Sequence, residues 1–157
     1  MPQQSVTVDA ELDRMIRQLG NSSTKIALLS VSAPTMPGAS LQATVRAVAD
    51  RTQMTGLLAP GIVGVVGIGG FADTRHENLE DQFIPRVRSL LEQYCEETGF
   101  GRVVVSFRSA ARPARELRDA EDLLQILFDR PARSFVVGAP QPAFPGLLPA
   151  YRITARL

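Results

Sequence analysis

The sequence predicts an α+β fold: a split βαβ, or ferredoxin-like, palm with an extra N-terminal helix and a Pro-rich C-terminal tail. Three observations predict it. Two apolar, glycine-rich runs around Pro60-Gly61 read as a β-hairpin within Thr55–Phe71. Segments with apolar residues at helical spacing stand before and after that hairpin. Apolar β-rich runs stand before the first of those helices and after the second. The full order is α, β, α, hairpin, α, β, α, β, with no internal repeat. A βα unit, a hairpin and then an αβ unit is the split βαβ arrangement. Its sheet is expected to be antiparallel in the middle, with helices on one face.

Each element has its own justification. Asp9 is positioned to cap a helix running to Gly20, with Leu12, Met15, Ile16 and Leu19 on one apolar face. That face fits packing on its own domain or pairing with another chain. Lys25–Ala33, KIALLSVSA, is a nearly continuous apolar run, which suits a strand buried on both faces. Pro34–Gly38 breaks it, and Ser40 opens a helix through about Asp50 with Leu41, Val45 and Val48 inward.

The hairpin strands are Gly56–Ala59 and Ile62–Ile68. Asp73–Asp81 reads as a loop or a frayed helix start. Gln82–Thr98 is a helix with Phe83, Val87, Leu90, Leu91 and Tyr94 on one face, Pro85 in its first turn, and Gly99 and Gly101 beyond its end. Arg102–Phe107 is a strand. Ala114–Phe128 is a helix with Leu117, Leu123, Leu124, Leu127 and Phe128 inward, and Ser134–Val137 is a short strand. The chain divides into residues 1–24 (tail and amphipathic helix), 25–137 (the palm) and 138–157 (an extended tail with Pro140, Pro142, Pro145 and Pro149).

At 157 residues the chain suits one domain, and 45% hydrophobic residues suffice for one sizeable core. A net charge of +1 gives no dense basic face, so nucleic acid is not an expected partner. Arg102–Arg118 holds the one local excess of arginine and reads as a solvated rim interleaved with Glu116 and Asp119. Cys95 and His76 are the sole cysteine and histidine, so neither a disulfide framework nor a Cys/His zinc cluster is expected within the chain. The apolar run at Gly56–Phe71 is too short and too rich in glycine for a membrane span. The N-terminus lacks the basic and apolar blocks of a signal peptide, and a cytoplasmic setting is expected.

Several motifs read structurally. Gly67–Ala72 satisfies G-x-G-x-x-A, but polar Asp73–Asn78 follows it where a dinucleotide site needs a helix. His76 lies in a polar loop. Cys95 reads as half-buried and inert. Glu77, Glu80 and Asp81 read as a solvated loop.

Four strings resemble the GGDEF domain family, the diguanylate cyclases: KIALLSVSA, LLAPGIVGVVGIG, RVVVSFRSA and LRDAEDLLQILFDRPARS. The resemblance spans roughly Lys25–Val137 and rests on pattern more than identity. It implies a cyclase palm in which Ser30 and Ser32 stand at the two Asp-x-Asp metal positions. Pro60, Gly61, Ile62, Val63 and Gly64 stand at the signature. A hard Mg²⁺ takes carboxylate oxygens, and neither segment supplies them. The product-binding Arg-x-x-Asp motif is half kept, as Arg51-Thr-Gln-Met54.

The resemblance therefore implies a non-catalytic, GGDEF-like regulatory or scaffolding module, with no metal and no cofactor, acting through a protein partner or as a homodimer. Leu12, Met15, Ile16 and Leu19 of the N-terminal helix, and Pro60, Gly61, Ile62 and Val63 of the hairpin, form the expected interaction surface. The alternative is a guanine nucleotide or cyclic dinucleotide sensor without turnover, using Arg51 and Arg108. An enzyme of another kind would need a polar pocket around His76 or Cys95.

Overall fold

A computed structural model describes residues 7–49, 53–68 and 79–138. In chain order the elements are α1 (Val8–Leu19), β1 (Lys25–Ser32), α2 (Gly38–Val48), β2 (Met54–Ala59), β3 (Ile62–Ile68), α3 (Leu79–Thr98), β4 (Val103–Pro113), α4 (Ala120–Asp129) and β5 (Arg133–Val137). A 3-10 turn, Ala114–Glu116, links β4 to α4. The strands form one five-stranded sheet in the order β2-β3-β1-β4-β5, with every neighbouring pair antiparallel.

β1 is central, and its residues alternate between two cores. Ala27, Leu29 and Val31 face α2 and α3, with Val63, Val65, Val105 and Phe107 beside them. Ile26 and Leu28 face α1 and α4, with Val66 and Ala110. The period-2 alternation of a strand makes a continuous apolar run serve both faces at once. Helices therefore cover both faces of the sheet, not one as the sequence order suggested. The second layer comes from α1 and α4, the two helices that lie outside the strand–helix–hairpin–helix–strand core of the sequence pattern.

The placement of α1 corrects one expected surface. Leu12, Met15 and Ile16 are buried against this chain's own sheet, and Leu19 packs on the same cluster half-buried. They are core, not a contact for another chain. The helix starts one residue before the expected Asp9, because the Thr7 hydroxyl caps it by accepting from the Ala10 N–H at 3.1 Å.

Other boundaries also move. α2 begins at Gly38, so Ser40 is its third residue and not its cap. α3 begins at Leu79, which puts Pro85 in its seventh position, inside the helix. Its buried side is Leu79, Phe83, Val87, Leu91 and Cys95, so Cys95 is a core residue at 5% exposed.

β4 continues six residues past Phe107, pairing along the whole of β1 from Ser32↔Ser106 to Lys25↔Pro113. The expected solvated arginine rim is thus largely a central strand. Leu117 is buried in the link before α4, whose true cap is Asp119. Phe128, expected inward, is 42% exposed. Gly61 closes the β2–β3 turn with φ +79°, a conformation that glycine after proline adopts without strain.

Candidate functional site

The end of the sheet where β1 stops gathers most of the residues singled out in the sequence. Ser30 lies opposite Gly64 of β3 on one side and Arg108 of β4 on the other. Ser32 lies between Ile62 and Ser106, and Ser106 faces Ser134 on β5. A row of three serines therefore crosses β1, β4 and β5, with Ile62 at its β3 end. These residues share the sheet face that carries α1 and α4. Ser106 and Ser134 follow the alternation as clearly as Ser30 and Ser32, but only the strand register aligns them. Segments 30–37 and 55–68 contain no Asp or Glu, so the groups available there are hydroxyls, backbone and aliphatic side chains.

The hairpin presents its residues unequally. Pro60 and Gly61 are exposed at the tip, Ile62 is half-buried, and Val63 is 1% exposed in the core beneath α2 and α3. Val63 is therefore not surface. The exposed apolar residue of this hairpin is Leu57, at 48%, on the edge strand β2. Sequence reading missed it because a run of apolar residues does not show which strand becomes an edge.

Arg108 is engaged within the chain. Its Nε donates to the Arg130 carbonyl at 2.9 Å, just past the end of α4, and its guanidinium lies 5.6 Å from the centre of the Phe128 ring. It closes an otherwise open helix C-terminus and stacks on an aromatic face. Arg51 lies outside the described residues, as do His76, Glu77 and most of the Gly67–Ala72 motif. Glu80, expected in a solvated loop, lies in the first turn of α3. It accepts from Ser109 Oγ at 2.6 Å and pairs with Arg133 at 2.7 Å.

A cleft of roughly 640 Å³ lies beside Cys95, lined by Glu92, Glu96, Phe100 and three glycines, Gly99, Gly101 and Gly138. Burial, and then the negative charge of Glu92, push the Cys95 thiol above its ordinary value. A nucleophilic cysteine needs the reverse, a thiolate favoured by nearby positive charge. The cleft does not activate this thiol.

No family model, curated protein or solved structure matches this chain. Among the described residues, no helix is long and apolar enough to cross a membrane.

Proposed function

We propose that this chain is a non-catalytic, GGDEF-like regulatory or scaffolding module that works through protein–protein contact at its β2–β3 hairpin. The strand order β2-β3-β1-β4, with a βα unit before the hairpin and an αβ unit after it, supports the split βαβ palm. The single observation that carries the functional reading is the β1–β3 register, with Ser30 against Gly64 and Ser32 against Ile62. In a cyclase palm the two segments meeting here would hold metal and activate a hydroxyl. In this chain both lack the carboxylates at once. What the hairpin offers instead is an uncharged edge with Leu57 outward and Pro60-Gly61 at the tip. Such an edge pairs with another chain or needs covering.

The test joins chemistry to association. Full-length protein is titrated with GTP and with cyclic di-GMP, with and without magnesium, in a calorimeter, and assayed for pyrophosphate release. The proposal expects no turnover and no micromolar binding. It also expects self-association, or capture of a partner, to be lost in Leu57→Asp. Micromolar nucleotide binding abolished by Arg51→Ala would replace it with the sensor reading.

A further inference from the structure

β4 is longer than the strand beside it. It pairs with β1 from Ser106 to Pro113. On its other side β5 pairs only with Val103–Phe107, where Val104 opposes Val136 and both stay exposed. Among the described residues no strand lies beyond Phe107 on that side. The outer edge of β4 from Arg108 to Pro113 is therefore open, in line with β5.

The hydrogen-bond pattern shows what this edge offers. The Ala114 N–H donates to the Thr24 carbonyl at 2.9 Å, and Pro113, which has no N–H, stands opposite Lys25. Backbone groups alternate in direction along an antiparallel strand. Ala110 and Arg112 thus bond to β1, while Ser109 and Ala111 turn their N–H and C=O groups outward. The Arg112 side chain agrees with this direction. Its Nη1 donates to the Ala111 carbonyl at 2.7 Å, where a neighbouring strand would otherwise donate. A hollow of about 180 Å³ lies along the same edge, between Leu79 at the start of α3 and Arg130 just past α4.

We propose that this slot receives an extended acidic peptide of a partner protein, added as a strand in line with β5. Outward N–H and C=O groups on an open edge are a template for an added strand. Charge identifies the occupant. Arg112 and Arg130 flank the slot, and neither makes an ion pair among the described residues. Glu80, which reaches this edge through Ser109, is already taken by Ser109 and Arg133. Incoming carboxylates therefore meet two guanidinium groups, which grip them through paired N–H donors.

The two faces of the sheet set the pattern of that peptide, because the side chains of a strand alternate between them. On the α3 face, Ala27 and Ala111 are small beside buried Leu79 and leave room for an aliphatic side chain. Arg112, opposite Ile26, belongs to the other face. The fitting sequence alternates aliphatic and acidic residues. A second copy is the poorer occupant. Its edge strands are β2, which has no charge, and β5, which has Arg133 and no acid. The slot lies on the opposite side of the sheet from the β2 edge, so this inference stands apart from the hairpin reading.

Amide hydrogen exchange, read residue by residue by NMR on the full chain, tests this. The probe is a capped Val-Glu-Val-Glu-Val-Glu peptide, with the matching Val-Lys repeat as control. In the free protein the Ser109 and Ala111 amides should exchange at least tenfold faster than those of Ala110 and Arg112. Saturating Val-Glu peptide slows both at least tenfold, and the Val-Lys peptide leaves them unchanged. Arg112→Gln keeps a donor for the Ala111 carbonyl, and Arg130→Glu changes an exposed side chain. Together they weaken Val-Glu binding at least tenfold without altering exchange in the free chain. Slow Ser109 and Ala111 amides in the free chain at every concentration overturn the proposal, because the chain then covers its own edge. Protection that disappears on dilution assigns the edge to a second copy and does the same. Equal slowing by both peptides, or slowing by neither, also overturns it.

Discussion

Asp13 of α1 accepts a 2.7 Å hydrogen bond from the backbone N–H of Ala120, the first residue of α4, across 107 positions of sequence. The Asp119 side chain caps the same helix locally by accepting from the Asp122 N–H at 3.2 Å. One helix end thus takes two carboxylates, which its exposed N–H groups and positive dipole end both favour. The bond fixes α1 and α4 as one layer over the sheet. Asp13→Ala is expected to cost about 1 kcal/mol, as loss of a helix cap does. Asp13→Asn retains most of it, because the amide oxygen still accepts. Urea unfolding of the two variants gives the comparison. Equal losses, or none in either, would remove this bond from the account of how α1 is held.

Glu80 ties three elements together on the opposite face. It sits in the first turn of α3, takes the Ser109 hydroxyl from β4 on one oxygen and Arg133 of β5 on the other. The Arg133 side chain is 70% exposed while that of Glu80 is 12%. The ion pair is therefore screened and worth little, and the bond to Ser109 carries the larger share. Ser109→Ala and Glu80→Ala should each destabilise by roughly 1–2 kcal/mol, and Arg133→Ala by less than about 0.5 kcal/mol. A double-mutant cycle on Glu80 and Ser109 measures their coupling directly. A cycle in which Arg133 carries the larger coupling to Glu80 would reverse this ranking.

What the sequence showed and hid follows from which signals are local. The run KIALLSVSA announced a strand buried on both faces, and Pro60-Gly61 announced its turn, because each depends on neighbouring residues. The second half of β4, Ser109–Pro113, is small and basic and has no strand signature. It becomes a strand because Lys25–Leu29 of β1 lies alongside it. A helical pattern over Ala114–Phe128 concealed a break at Leu117, which enters the core from an extended backbone. The amphipathic stripe of α1 showed that a face would be buried but not against what. At the site, Ser30, Ser32 and the hairpin were each legible as uncharged segments. Their juxtaposition, and the exposure of Leu57, Val104 and Val136, depend on strand order.

Acid sensitivity should trace to two helix-surface pairs. Arg118 donates to Asp122 from Nη2 at 3.0 Å, Nε at 3.1 Å and its backbone N–H at 2.8 Å. These bonds hold the Asp122 carboxyl below its ordinary value, with the side-chain bond the largest cause. Arg14 does the same for Glu11. A carboxyl whose folded pKa is lowered stabilises the fold above its unfolded pKa, about 4, and loses that contribution as pH falls through the folded value. Melting temperature should therefore be flat above about pH 5 and fall below about pH 4. Asp122→Asn should melt lower than wild type at neutral pH, with the gap closing as acid protonates the wild-type carboxyl. A gap that stays constant from neutral to strongly acidic pH would contradict this origin.

Ile62 and Val63 are neighbours at the start of β3, and the sheet gives these two positions opposite environments. Ile62 follows the turn, half-buried, opposite Ser32. Val63 is 1% exposed between Leu57 and Val31, inside the cluster with Leu29, Val65 and Phe83. A carboxylate at Val63 would have to shed its water among the apolar side chains of that cluster. Val63→Glu should thus cost about 3 kcal/mol or more, the penalty of an uncompensated buried charge. Ile62→Glu, with water within reach, should cost no more than about 1 kcal/mol. Urea unfolding of both variants at neutral pH makes the comparison, and similar losses would show that the hairpin does not sort its two residues between core and rim. The predicted asymmetry means that the apolar residue at Val63 serves the fold itself. Introducing acidic chemistry at Val63 would then first require rebuilding the layer beneath it.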